Sequence, residues 1–149
     1  MAETGFFTPD AVLEAGMAAG LAKVEDGIQA AILSDYGFVT EVSRHLVEAG
    51  GKRFRPLLVL LAAQFGDPAR PEVIKAGVVV ELTHLATLYH DDVMDEAPLR
   101  RGAPSANARW DNTVAILTGD YLFARASEIS TDLGTDVCAG RSGNRNTHR

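Results

Sequence analysis

Several features that mark other classes of protein are missing from the sequence. Cysteine occurs once, at Cys138, which excludes an internal disulfide framework and fits a reducing cytoplasm. The start, MAETGFFTPD, lacks the basic segment and apolar core of a signal peptide, and the longest apolar run, PLLVLLAA, is too short to cross a bilayer. The net charge of −6 argues against electrostatic binding of nucleic acid. We therefore expect a cytoplasmic protein that binds no nucleic acid, and contact with a membrane surface stays open.

The hydrophobic pattern is helical along most of the chain. Apolar residues recur every three or four positions, prolines stand where helices would begin, and no repeat or run of alternating strands is visible. The stretch LRRGAPSANA is polar and predicts a loop. The predicted helices cover 13–32, 38–46, a stretch opened by Pro56, 71–97, and a last stretch with Asp111 as its N-cap. This pattern predicts one all-α domain whose apolar helices pack on each other and on a partner.

Acidic residues crowd together near the end of the long helix, in LYHDDVMDEAPLRRGAP. Asp91 and Asp95 lie one turn apart on one helix face, where they repel each other unless a cation lies between them. Hard divalent ions such as Mg²⁺ take carboxylate ligands and commonly share them with substrate phosphates. Asp92 is rotated by about 100° and should contact a neighbour or orient the ligands. The alternative is a solvated helix end, although acids there oppose the helix dipole.

Basic residues precede the acids in the stretch GGKRFRP, which places Lys52, Arg53 and Arg55 in a glycine-led loop before a helix. Free backbone amides and the positive end of the helix both favour phosphate at such a position. Arginine adds paired hydrogen bonds, and lysine adds a point charge. The alternative is an ordinary basic loop.

A second basic pair, Arg100 and Arg101, follows the acids, and His84 lies two turns before them on the same helix face. The arginines either bind an anion or simply pair with Asp95 and Glu96. The histidine either has a structural role or donates to a phosphate oxygen. Two basic clusters and one carboxylate pair suit two diphosphates, one held through Mg²⁺ and one held directly.

Three stretches, GGKRFRP, ELTHLATLYHDDVMDEAPLRRG and AILTGDYLFARA, resemble the trans-isoprenyl diphosphate synthases, also called polyprenyl synthetases. DDVMD resembles the first aspartate-rich motif of that family, and the resemblance runs over residues 10–137. It implies the N-terminal portion of the isoprenoid-synthase helical bundle. It also implies a Mg²⁺-dependent prenyltransferase that condenses isopentenyl diphosphate head-to-tail with an allylic diphosphate, as a homodimer or heterodimer.

The resemblance also implies roles for particular residues. Asp91 and Asp95 would bind Mg²⁺ with support from Asp92, and Arg100 would contact the allylic diphosphate, which completes the implied catalytic set. The implied contacts to isopentenyl diphosphate are Lys52, Arg55, His84 and Arg101.

Small residues precede the aspartates on the long helix, at Thr83, Ala86 and Thr87. The resemblance implies that they line the channel for the growing product. Their size therefore predicts a medium or long product, as in the medium- and long-chain members of the family. The alternative is that small residues here only permit close helix packing.

The family's second aspartate-rich motif does not occur in this sequence, and the arginine-rich tail CAGRSGNRNTHR differs in composition from the rest. We expect a partial, truncated synthetase domain at 1–137 and a disordered, non-homologous tail at 138–149. The chain alone is then expected to be weakly active or inactive. The alternative is a non-catalytic helical subunit or a truncated remnant of such a synthase.

Overall fold

A computed structural model describes residues 10–134, and helices make up nearly all of the regular structure in that range. A two-residue antiparallel hairpin, β1 (Leu99–Arg100) with β2 (Ala103–Pro104), is the exception. The helices are α1 (Ala11–Ala31), α2 (Gly37–Glu48), α3 (Phe54–Ala63), α4 (Pro71–Met94), α5 (Ala106–Arg109) and α6 (Asn112–Thr131). The all-α prediction is confirmed, whereas the predicted tail at 138–149 lies outside the described residues.

Local sequence explains where the helices begin and end. The predicted N-cap Asp111 accepts a hydrogen bond from the Val114 amide at 2.8 Å, and Pro71 opens α4 as expected. Helix α3 starts at Phe54, so the preceding loop is shorter than predicted. Helix α4 is capped by Asp95, which places the acidic cluster in its last turn.

The stretch predicted as a polar loop between α4 and α6 is more ordered than expected. Arg101 and Gly102 form the turn of the hairpin with φ of 52° and 82°. Positive φ at both central residues is the geometry of the tight turns that match the twist of paired strands. Arginine is not a residue that signals such a turn, which is why the sequence did not predict the hairpin. The backbone of Arg100 and Arg101 is therefore held in place by the hairpin.

Helix α4 forms the centre of the packing, against α6, α3 and α1. Its residues Leu82, Leu85 and Tyr89 are fully buried. The Tyr89 hydroxyl donates to the Val42 carbonyl and accepts from the Leu46 amide at 3.3 Å, which ties α4 to α2. Burial also raises the pKa of Tyr89. The acidic turn therefore stands at the end of the best-anchored helix.

Within residues 10–134, no helix has both the length and the apolar character that a bilayer crossing requires.

Candidate functional site

Charged side chains from three elements converge around His84 on α4. Burial lowers the pKa of His84, and the positive charges of Arg55, Arg101 and Arg100 lower it further, while Asp91 opposes the change. The start of α3, the last turns of α4 and the hairpin therefore meet at one place. The two basic clusters and the acidic turn, which are separate in the sequence, therefore lie close together and make one candidate site.

Five of the predicted site residues keep their side chains free. Within residues 10–134, none of them makes a side-chain hydrogen bond or ion pair with another described residue. Because no described residue occupies these side chains with a hydrogen bond or ion pair, they are available to a ligand. The five are Lys52, Arg55, His84, Asp91 and Asp95.

Asp92 has a different environment from its two neighbours in the motif. It is fully buried, and its Oδ1 accepts hydrogen bonds from Arg100 Nε at 2.7 Å and from Arg100 Nη2. Its Oδ2 is buried and has no partner among the described residues. The hydrogen bond to Asp92 raises the pKa of Arg100, and the nearby charges of Asp91 and Asp95 contribute further. Arg100 therefore pairs with Asp92, not with Asp95 or Glu96.

Arg101 joins the hairpin to the glycine-led loop. Its Nη1 donates to the Leu46 carbonyl at 3.3 Å. A Cβ atom placed on Gly51 would lie 2.8 Å from the same nitrogen, and Gly51 has a φ of 151°, so only glycine fits there. Burial lowers the pKa of Arg101, as does the adjacent charge of Arg53. This contact brings the second basic cluster against the first.

Arg53, grouped by the sequence with the basic loop, turns inward. Its Nε donates to Glu25 at 2.8 Å, its Nη1 to Glu81 at 3.3 Å, and its Nη2 to the Val47 carbonyl at 3.2 Å. Glu81 is 2% exposed. One signal in the sequence could have revealed this contact, because a lone glutamate inside the apolar run GVVVEL of α4 needs a buried cation.

The small residues before the aspartates divide into two groups. Ala86 is fully buried, and its carbonyl oxygen lies 3.1 Å from the position of a Cβ on Gly119 of α6. This contact involves the Ala86 backbone and Gly119, and it shows how closely α4 packs on α6. Thr83 and Thr87 are only partly buried, and their hydroxyls donate to backbone carbonyls of α4. A role in setting product length stays a prediction for all three residues.

The carboxylates of the acidic turn are the possible metal ligands of the candidate site. Among residues 10–134, no group of three or more His, Cys, Asp or Glu side chains is arranged to hold an ion. Asp91 and Asp95 nevertheless offer two free carboxylates one turn apart. A magnesium ion commonly takes one or two carboxylate ligands from the protein and its remaining ligands from phosphate oxygens and water. Such an all-oxygen donor set fits a hard divalent cation. The residues present are therefore compatible with Mg²⁺ bound together with a diphosphate.

Comparisons with known proteins identify the family. Residues 37–144 match the family described as Polyprenyl synthetase. The chain is similar to a nonaprenyl diphosphate synthase of Mycobacterium tuberculosis, with 53% identity over 86% of this chain and 38% of that protein. It is also similar to heptaprenyl diphosphate synthase component 2 of Geobacillus stearothermophilus, with 50% identity over 76% of this chain and 36% of that protein.

Solved structures agree with these sequence matches. The fold is similar to a decaprenyl diphosphate synthase from Rhodobacter capsulatus, with a TM-score of 0.80 and 42% identity over 89% of this chain and 41% of that one. A polyprenyl synthase from Caulobacter crescentus, described as complexed with calcium and isoprenyl diphosphate, also gives a TM-score of 0.80, with 36% identity over 85% and 39% of the two chains. The chain thus spans about two fifths of the length of these relatives. The resemblance seen in the motifs is confirmed, and the chain belongs to the polyprenyl synthetase family.

Proposed function

We propose that this chain supplies the diphosphate-binding half of a prenyltransferase active site. The enzyme in question condenses isopentenyl diphosphate head-to-tail with an allylic diphosphate to make a polyprenyl diphosphate. The observation that carries the proposal is that Arg55, Asp91 and the arginine pair act together on His84, while five of the predicted site residues make no side-chain hydrogen bond or ion pair among the described residues. The names of the relatives, which are polyprenyl diphosphate synthases, support the same reaction class.

In this proposal Asp91 and Asp95 hold Mg²⁺ against the allylic diphosphate. The bound ion would neutralise the charge that develops on the departing diphosphate. Two observations support this assignment: both carboxylates are free of partners in the described part of the chain, and a similar structure is described with calcium and isoprenyl diphosphate.

The other side chains bind and orient the two substrates. Arg100, fixed by Asp92, donates to the allylic diphosphate, while Lys52, Arg55, His84 and Arg101 bind the isopentenyl diphosphate. The allylic carbon–oxygen bond then breaks with its electrons leaving on the diphosphate. The double bond of isopentenyl diphosphate forms the new carbon–carbon bond, and a proton is lost. This reaction needs positioned charge and exclusion of water, and it needs no nucleophile from the protein.

We further infer that the chain alone is weakly active or inactive. Its described residues contain no group of three or more side chains placed to hold a metal ion, and the chain spans 38% of the nonaprenyl diphosphate synthase that it matches. The enzyme would then need further carboxylates and further channel wall. Incubation of the chain alone with an allylic diphosphate, labelled isopentenyl diphosphate and Mg²⁺ tests this point, and abundant polyprenyl product would refute it.

A chimera tests the proposed function itself. Residues 10–134 would replace the corresponding segment of the Mycobacterium tuberculosis relative, and product would be measured with labelled isopentenyl diphosphate. We expect an active chimera whose rate falls by about 100-fold or more in the Asp91→Asn version, as on loss of an electrostatic contact to a transition state. The proposal fails if a folded chimera is inactive, or if Asp91→Asn leaves its rate unchanged.

A second candidate is a helical subunit of a two-chain synthase. Two relatives are named as component 2 of heptaprenyl diphosphate synthase, and several large apolar side chains of this chain are exposed. Leu117 of α6 is 61% exposed and Phe65 after α3 is 97% exposed. Such surfaces favour association with another chain. Light scattering after size exclusion would show a dimer or larger species under either candidate, whereas an inactive chimera would favour the non-catalytic one.

A further inference from the structure

The contacts of Arg53 give it a separate role within the basic loop. Lys52 precedes it directly and Arg55 follows two residues later, and both of those side chains are exposed. Arg53 has a φ of 47°, in the left-handed region that non-glycine residues rarely adopt, and it occupies the N-cap position of α3. A residue held in that conformation needs surrounding contacts that impose it.

Those contacts come from three helices. The Arg53 guanidinium bonds to Glu25 of α1, to the Val47 carbonyl of α2 and to Glu81 of α4. The Arg53 side chain is 13% exposed and the Glu81 side chain 2%. The hydrogen bond from Arg53 lowers the pKa of Glu25, as expected for a carboxylate that stays ionised beside a cation. The planar guanidinium group has several N–H donors and can therefore reach acceptors on all three helices. The ammonium group of lysine cannot reproduce this arrangement.

The charge of Arg53 is fully compensated by this arrangement. One positive and two negative groups give the cluster a net charge of −1, so it exerts no net attraction on a diphosphate. Any contribution of Arg53 to anion binding therefore acts through geometry. Lys52 and Arg55 are close neighbours of Arg53 in the chain. Contacts that fix the Arg53 backbone therefore also fix the positions of the Lys52 and Arg55 Cα atoms.

We propose that Arg53, held by Glu25 and Glu81, is a positioning residue that sets Lys52 and Arg55 for diphosphate. The inference rests on the proposed function, since it concerns the same diphosphate site. Arg53 would not touch the substrate, and its removal together with Glu81 should weaken binding although the net charge of the cluster stays the same.

A double substitution separates geometry from charge. Arg53→Met with Glu81→Met removes one positive and one negative group, so the cluster keeps its net charge of −1 through Glu25. Replacing both partners of a buried pair with apolar side chains is often neutral for stability, so the fold should persist. The matched control is Arg70→Met with Glu72→Met, which removes an exposed ion pair of the same two residue types at the start of α4.

The main readout is the affinity of the chain for inorganic diphosphate without Mg²⁺, measured by calorimetry. We expect the Arg53/Glu81 variant to bind about tenfold more weakly, the effect of one misplaced charged hydrogen bond, with a melting temperature close to that of the parent. The control variant should bind as the parent does. Arg53→Lys keeps the charge but loses the guanidinium group, so it should show part of the same loss of affinity. This variant replaces the double variant in the test if the double variant does not fold.

Hydrogen exchange provides a readout that needs no ligand. The amides of Gly50 and Leu57, which donate to the carbonyls of Val47 and Arg53, should exchange faster in the Arg53/Glu81 variant, while those at the centre of α4 stay protected as in the parent. Unchanged affinity, or unchanged exchange in the loop, would overturn the role of Arg53. If the parent itself binds no diphosphate, the proposed function fails, and the exchange comparison still decides whether Arg53 fixes the loop.

Discussion

Asp92→Asn tests the division of labour among the three aspartates of the motif. Asp92 is fully buried and accepts two hydrogen bonds from Arg100, whose side chain is 28% exposed. Removing one partner of a buried ion pair costs about 3–5 kcal/mol. Asparagine keeps one acceptor and Arg100 is partly solvated, so we expect a smaller loss of about 1–3 kcal/mol in the free energy of unfolding.

Urea denaturation of Asp92→Asn and Asp91→Asn measures the difference. Asp91 has no partner among residues 10–134, and its removal relieves repulsion with Asp95. We therefore expect Asp91→Asn to leave stability within about 0.5 kcal/mol of the parent, or slightly above it. Calorimetry with inorganic diphosphate should show the opposite order of effects. Asp91→Asn should lose the binding that Mg²⁺ adds, Asp92→Asn should only weaken that binding through Arg100, and binding in a chelator should be unchanged in both variants.

Two results would refute this reasoning. If Asp92→Asn were as stable as the parent, the contact with Arg100 would contribute nothing, and Asp92 would need another role. If Asp91→Asn destabilised the fold more than Asp92→Asn, the free carboxylate would be the structural one. Either result would reverse the assignment of Asp92 to Arg100 and of Asp91 to the metal.

Two further predictions concern packing and pH. Gly119→Ala should lower the free energy of unfolding by about 1–3 kcal/mol in urea denaturation, because its Cβ would lie 2.3 Å from His90 and 3.1 Å from the Ala86 carbonyl. Gly16→Ala, where nothing lies within 4 Å, should be neutral or stabilising, and equal effects would contradict the packing. The lowered pKa of His84 means that folding favours its neutral ring, so its contribution to stability is present above the unfolded pKa and is lost as pH falls through the folded pKa. A bound anion should restore the proton, so diphosphate affinity should rise from about pH 8 to about pH 6 more in the parent than in His84→Asn; parallel pH profiles would contradict this.

The sequence was sufficient to predict five of the six helices that the structure describes, and the residue types of the candidate site, but not the short helix α5. Periodicity and caps give α1, α4 and α6 directly, since their signals are local. The inward turn of Arg53 was not predicted, because it depends on Glu25 and Glu81 from helices distant in sequence. The hairpin was missed because an arginine at positive φ carries no turn signal. The close approach of the Ala86 backbone to Gly119 was not predicted either, because it depends on how closely α6 packs on α4.

The central claim is that this chain binds two diphosphates in different ways, one through free cations and one through a metal. The most direct measurement is the stoichiometry of inorganic diphosphate binding by calorimetry, first with a chelator and then with Mg²⁺. The account predicts that Mg²⁺ adds a second bound diphosphate, that Asp91→Asn with Asp95→Asn removes only this one, and that Lys52→Gln with Arg55→Gln removes only the other. The same stoichiometry with and without Mg²⁺, or binding indifferent to both pairs of substitutions, would contradict it.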